Sequence, residues 1–281
     1  MSDRPAPPQR PAVRVTVAQL EVGTDRDANR IAAHDAVRTA ARTRADLVVL
    51  PEYAAAYDPR GVGVELAEPL DGPFVTMLRE DAAASGVAVI AGTVLPGGAP
   101  DAQGRPRAVN AVVAVDGAGQ LVGVYRKVHL YDAFGHRESE RLAPGPVDAP
   151  PLVLDVAGLR FGVMTCYDLR FPESARRLVD AGAQVLVVPA AWASGDLKAM
   201  HWRALAVARA IENTAAVVAV GQAGRGVVGR SLVVGPDGVV GLEADEKPQL
   251  RTVDLDATEL AGVRERNPSL TNRRYAVVPR D

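Results

Sequence analysis

Two short apolar runs, Leu47-Val-Val-Leu-Pro51 and Val185-Leu-Val-Val-Pro189, lie in opposite halves of the chain. Each reads as a buried strand that stops at a proline. Residues 25–45, before the first run, and 198–214, after the second, carry apolar side chains at helical spacing. A β and α pattern repeated in each half predicts two sheets with helices outside them. Further strands are expected at 13–20, 87–95, 108–115, 121–125, 161–164, 215–220, 231–234, 239–242 and 251–255, and further helices at 74–85, after Pro172 and at 257–264. Residues 131–151 read as one long irregular segment, the kind that in compact proteins is usually a functional loop.

Composition removes several classes of function. The 281 residues are 48% hydrophobic, enough for a large core, and the net charge of -2 argues against broad attraction to nucleic acid or anionic membrane. No apolar run approaches the roughly 20 residues of a membrane span. Residues 1–11 are polar and proline-rich, so a disordered leader is expected there, followed by one domain over 12–281 in a cytoplasmic protein. One cysteine allows no internal disulfide, and the histidines at 34, 129, 136 and 201 form no metal-binding pair, so neither metal nor cofactor is expected. Gly224-Arg-Gly226-Val-Val-Gly229 has the spacing of a dinucleotide loop, but strand and turn residues follow it where a helix is required.

The single cysteine stands where chemistry is placed in α/β proteins. Cys166 follows an apolar strand and precedes Pro172, which opens a helix, so it occupies a turn at a strand's carboxyl end. The N–H of Tyr167, next in the chain, is positioned to meet a developing oxyanion. A plain alternative is a small buried hydrophobe. Glu52 and Lys127 also follow strands, and Lys127 is one of only three lysines among 32 basic residues. A thiol, a carboxylate and an ammonium suffice for acyl transfer: the carboxylate takes the thiol proton, the thiolate attacks a carbonyl, and the ammonium steadies the oxyanion. A pairing of Cys166 with His129 or His201 stays open at this level.

The motifs Leu50-Pro51-Glu52-Tyr53, Tyr125-Arg126-Lys127-Val128-His129-Leu130 and Cys166-Tyr167-Asp168-Leu169-Arg170-Phe171-Pro172-Glu173 resemble, in order, those of the nitrilase superfamily of carbon-nitrogen hydrolases. The resemblance runs from about residue 13 to 275. It implies an α/β fold, a four-layer αββα sandwich, commonly a homodimer or higher homo-oligomer joined through helices and a tail at about 264–281. It implies Cys166 as nucleophile, Glu52 as general base, Lys127 as oxyanion donor, and Glu138 as a second glutamate that positions Lys127 and the leaving amine. The Cys-Tyr-Asp-Leu-Arg-Phe-Pro-Glu form is similar to the branch of ω-amidases and deaminated-glutathione amidases. That implies a small linear amide bearing a carboxylate, cut to acid and ammonia through a thioester, with Tyr53, Tyr167, Arg170, Ala190 and Trp192 around the substrate. Arg170 reads equally as an ion-pair partner of Asp168 or Glu173. An N-carbamoyl amino acid or a nitrile would need the same three groups. Readings of another kind are a catalytically silent binding subunit and a thiol redox sensor.

Overall fold

The computed structural model describes residues 12–280; the expected leader lies outside them. The first half holds β1 (Ala12–Gln19), α1 (Arg26–Arg42), β2 (Leu47–Val49), α2 (Pro73–Ser85), β3 (Ala88–Gly98), β4 (Arg107–Val115) and β5 (Leu121–Arg126). The second holds β6 (Val153–Val156), β7 (Leu159–Val163), α3 (Pro172–Asp180), β8 (Val185–Ala190), α4 (Lys198–Asn213), β9 (Ala216–Gly221), β10 (Leu232–Val234) and β11 (Val240–Glu243). The last strand, β12 (Gln249–Asp256), returns to the first half and leads into α5 (Ala257–Arg266).

One sheet runs β12-β1-β2-β3-β4-β5 and the other β6-β7-β8-β9-β10-β11. Both have the same sequence of directions: antiparallel, parallel, parallel, antiparallel, antiparallel. The two similar apolar runs, β2 and β8, therefore hold the same place in their sheets. Their lack of polar alternation follows from burial on both faces. Leu47 and Val49 of β2 point between the sheets with Phe161, Val163, Val187 and Val218, while Val48 and Leu50 pack under α1 and α2 with Val37 and Leu78. On the other side, Leu186 and Val188 of β8 lie under α3 and α4 with Leu178, Trp202 and Ala206. The layers are thus helix, sheet, sheet, helix, as expected.

Local signals explain the helix starts. The Asp25 side chain caps α1 by accepting the N–H groups of Asp27 and Ala28 at 3.0 and 3.1 Å. Proline opens α2 and α3, and α2 stops at Gly86, whose φ of 74° is left-handed. Strand β6 is the element the sequence did not announce. It forms a hairpin with β7 through Ala157 and Gly158, whose φ values are 48° and 93°. Two residues at positive φ make the tight turn that suits a hairpin, but alanine is not its usual residue, so the signal is hidden.

No helix among the described residues is long and apolar enough to cross a membrane. The loop at Gly224 to Gly229 leads into β10, not into a helix.

Candidate active site

Three strand ends of the two sheets converge. The first carries Glu52, just past β2, in a turn pressed against β3. A Cβ on Gly92 of β3 would lie 2.5 Å from Glu52 Cα and 2.6 Å from the Tyr53 nitrogen, so this approach requires glycine. The second carries Lys127, the residue after β5, whose N–H donates to the Asn110 carbonyl at 2.9 Å. Gly145 crosses beneath it, donating to the Lys127 carbonyl at 2.8 Å. The third carries Cys166, which begins a short 3-10 turn, Cys166–Arg170, beyond β7. Its φ of 46° is left-handed, a strained conformation for a residue with a side chain. Tyr167 is the second residue of that turn, so its N–H belongs to the unpaired donors at a helix start.

Glu52 and Lys127 are each 1% exposed. Lys127 Nζ donates to Glu52 Oε1 at 3.0 Å and to Glu138 Oε2 at 2.9 Å, so one ammonium is shared by two carboxylates. Further donors hold the oxygens of both carboxylates. Asn110 Nδ2 donates to Glu52 Oε1 at 2.7 Å, the Ala191 N–H donates to Glu52 Oε2 at 2.7 Å, and the Tyr131 N–H donates to Glu138 Oε2 at 2.5 Å. The Tyr53 hydroxyl donates to Glu138 Oε1. Because Ala191 follows β8, Glu52 ties the end of one central strand to the end of its counterpart.

The Cys166 thiol and the Glu52 carboxylate border the same cavity, close enough for Glu52 to act on the ionisation of the thiol. Burial and the Glu52 charge push the thiol well above its usual range, outweighing the pull of Lys127. It therefore stands protonated at neutral pH with a carboxylate beside it. Burial works against the charge on Lys127, but Glu138 and Glu52 together overcome it and hold the ammonium well above its usual range. The set thus joins a neutral thiol, a lysine ammonium and two glutamates in one buried cluster.

A third carboxylate, which sequence reasoning passed over, fastens the cysteine turn to the lysine segment. Asp168 is fully buried and accepts from the Thr165 N–H at 3.0 Å, the Tyr125 hydroxyl at 2.7 Å, the His129 N–H at 3.3 Å and His129 Nδ1 at 2.8 Å. Asn110 was also passed over, although it is the lone polar side chain between Ala108 and Val115 of β4, a signal of a buried hydrogen bond.

Other expectations need correcting. His129 is engaged by Asp168, and His201 Nδ1 lies 3.5 Å from Arg170 Nη2, so each has a partner other than the thiol. Arg170 pairs with neither Asp168 nor Glu173, because Asp168 is filled by Tyr125, His129 and Thr165. Its guanidinium instead stacks 4.9 Å from the Trp192 ring and 5.6 Å from the Phe134 ring. Ala190 is turned away, packed under α4 with Trp202, and its neighbour Ala191 lines the cavity. The side chains of Glu52, Tyr53, Lys127, Glu138 and Cys166 border that cavity of about 290 Å³. A narrow recess of about 20 Å³ leads from Cys166 between Tyr131, Tyr167, Trp192, Arg170 and Lys198.

The comparisons with known proteins agree with this geometry. A family model described as carbon-nitrogen hydrolase matches residues 14–265. Deaminated glutathione amidase of Escherichia coli O157:H7 is 40% identical over 239 residues, covering 84% of this chain and 88% of that protein. The human protein of the same name is 35% identical, covering 92% of this chain and 82% of its own. Among solved structures, a CN-hydrolase superfamily protein from Xanthomonas campestris, with an arsenic adduct in its active site, superposes with a TM-score of 0.80 at 28% identity, covering 95% of this chain and 99% of that one. The amidase of Nesterenkonia AN1, described as from the nitrilase superfamily, gives 0.74 at 27% identity, covering 93% and 97%. With its motifs, its four layers and its buried cluster of thiol, carboxylates and ammonium, the chain belongs to the carbon-nitrogen hydrolase family as a cysteine-dependent amidohydrolase.

Proposed function

We propose that this amidase cuts a small linear amide whose acyl part ends in a carboxylate, and that it does so through a thioester on Cys166. The observation that carries the mechanism is the placing of Glu52, which faces both the thiol and the Lys127 ammonium from a buried, triply hydrogen-bonded position.

Glu52 takes the thiol proton as Sγ attacks the amide carbon, and the carbonyl oxygen becomes an oxyanion between Lys127 Nζ and the Tyr167 N–H. Collapse breaks the carbon–nitrogen bond, and Glu52 delivers the same proton to the departing nitrogen. Ammonia or an amine leaves, and a thioester remains. Glu52 then deprotonates a water that attacks the thioester. The second intermediate collapses to the acid, with the proton on Glu52 returning to sulfur. Glu138 holds Lys127 in line throughout without touching the reacting carbon.

Two things support a carboxylate on the acyl part: the arginine of the recess, in ion pair with no carboxylate among the described residues, and the relatives named deaminated glutathione amidase. A panel tests the reading. Half-amides of short dicarboxylic acids and deaminated glutathione are expected to release ammonia or amine with kcat/KM at least tenfold above ureido acids and nitriles. Equal or faster turnover of nitriles or ureido acids would sink it. We further propose a homodimer that uses the tail, where Tyr275 and Val278 are 91% and 73% exposed. Sedimentation as a monomer contradicts that.

A further inference from the structure

The recess beside Cys166 ends on two cations. Lys198 is the first residue of α4 and only 6% exposed. Its Nζ donates to the Tyr131 hydroxyl at 2.6 Å and lies 3.5 Å from the centre of the Phe134 ring. Arg170 lies against the other wall, between the rings of Trp192 and Phe134, and its Nε is buried with no hydrogen-bond partner among the described residues. Among the described residues no carboxylate forms an ion pair with either side chain, although ion pairs are frequent elsewhere in this arginine-rich chain.

That arrangement is costly as it stands. Aromatic faces and one hydroxyl offset part of the loss of water, but an ammonium has three donors and a guanidinium five, and two like charges share one small space. Burial, followed by the charge of Arg170, draws the Lys198 pKa below its usual range. The same ammonium is fixed in place. Its own carbonyl accepts the Trp192 Nε1–H at 3.0 Å, so the backbone under Lys198 is tied to the ring on which Arg170 stacks. Two preorganised donors left short of acceptors, in a space sized for about one water-sized group, match a single carboxylate.

We propose that Arg170 and Lys198 together clamp the carboxylate at the far end of the acyl part, and that Lys198 is a specificity-determining residue of this enzyme. The clamp rests on the amide-hydrolase reading of Cys166. It implies a short acyl chain, because the recess opens directly at the sulfur. It also places the carboxylate on the side of the scissile carbon away from Glu52 and Glu138, where the nitrogen leaves.

The test compares succinamate with the matched neutral amide in which an isopropyl group replaces the carboxylate. Lys198→Met is expected to lower the ratio of kcat/KM for the acid over the neutral amide by about 10- to 100-fold, mainly through KM, since a hydrogen bond to a charged group is worth about 1.5–3 kcal/mol. Lys198→Arg is expected to restore most of that ratio, which a merely structural lysine would not require. An unchanged ratio in Lys198→Met overturns the clamp while leaving the amidase reading intact. If the wild type turns over neither amide, the functional reading fails instead, and succinate binding by calorimetry decides the clamp. Tighter binding to wild type than to a folded Lys198→Met supports it, and equal affinity overturns it. Should Lys198→Met fail to fold, Lys198→Gln replaces it in the same comparisons.

Discussion

Lys127→Met is expected to abolish measurable turnover and to lower the melting temperature. The first effect follows from losing an oxyanion donor, which alone raises a barrier by about 3–4 kcal/mol, or roughly 10²–10³ in kcat. The second follows from what Lys127 holds apart. Glu52 Oε1 and Glu138 Oε2 lie 3.0 and 2.9 Å from its Nζ, and without it two buried carboxylates face each other. Removing one member of a buried ion pair typically costs about 3–5 kcal/mol, some 5–8 °C in a protein of this size. The sign with pH is fixed by the same picture. Two opposed carboxylates take up a proton on folding, so the folded variant binds more protons than the unfolded chain and its stability falls as pH rises. Melting curves at pH 5.5 and pH 8 should therefore show the larger loss relative to wild type at pH 8. Turnover within tenfold of wild type would remove Lys127 from the mechanism. An unchanged melting temperature would refute the shared ion pair.

Glu52→Gln separates the nucleophilicity of the thiol from catalysis, because the two should move in opposite directions. Glutamine keeps the size and hydrogen-bonding reach of the side chain but cannot accept the thiol proton, so amide turnover should fall by about 10²–10⁴. The thiol should nevertheless ionise more easily. After burial, the Glu52 charge is the largest influence holding the Cys166 pKa up, whereas Lys127 pulls it down. With that charge gone, the midpoint of iodoacetamide alkylation against pH should shift to lower pH. A shift to higher pH, or retained turnover, would contradict the role given to Glu52.

The parts of the site that could be read from sequence are those that a single strand end dictates. Glu52, Lys127 and Cys166 each follow an apolar run, and apolar runs in an α/β chain end where ligands bind. The doubling of β2 in β8 was likewise visible, because burial on both faces writes a continuous apolar string. Glu138 was a different case: it lies in an irregular segment, and only the resemblance singled it out. Residues whose role depends on a distant partner were not legible. Asp168 reads as one polar residue of a turn until the fold brings it to Tyr125, 43 positions away. Arg170 had two acidic neighbours in sequence, yet its turn directs it onto Trp192 and Phe134 instead. Ala190 and Ala191 are indistinguishable by type, and only the phase of β8 decides which one meets the cavity. Strand β6 escaped because its hairpin turn uses alanine where asparagine or glycine is expected.

The most direct test of the mechanism is a covalent one. Acid-quenched enzyme, mixed with a slowly cut half-amide, should gain the mass of the acyl group, and peptide mapping should place it on the segment containing Cys166. Cys166→Ala should show neither adduct nor turnover while keeping the wild-type fold. An acyl group mapped to any other residue, or amide hydrolysis surviving in Cys166→Ala, would contradict a thioester mechanism at this site.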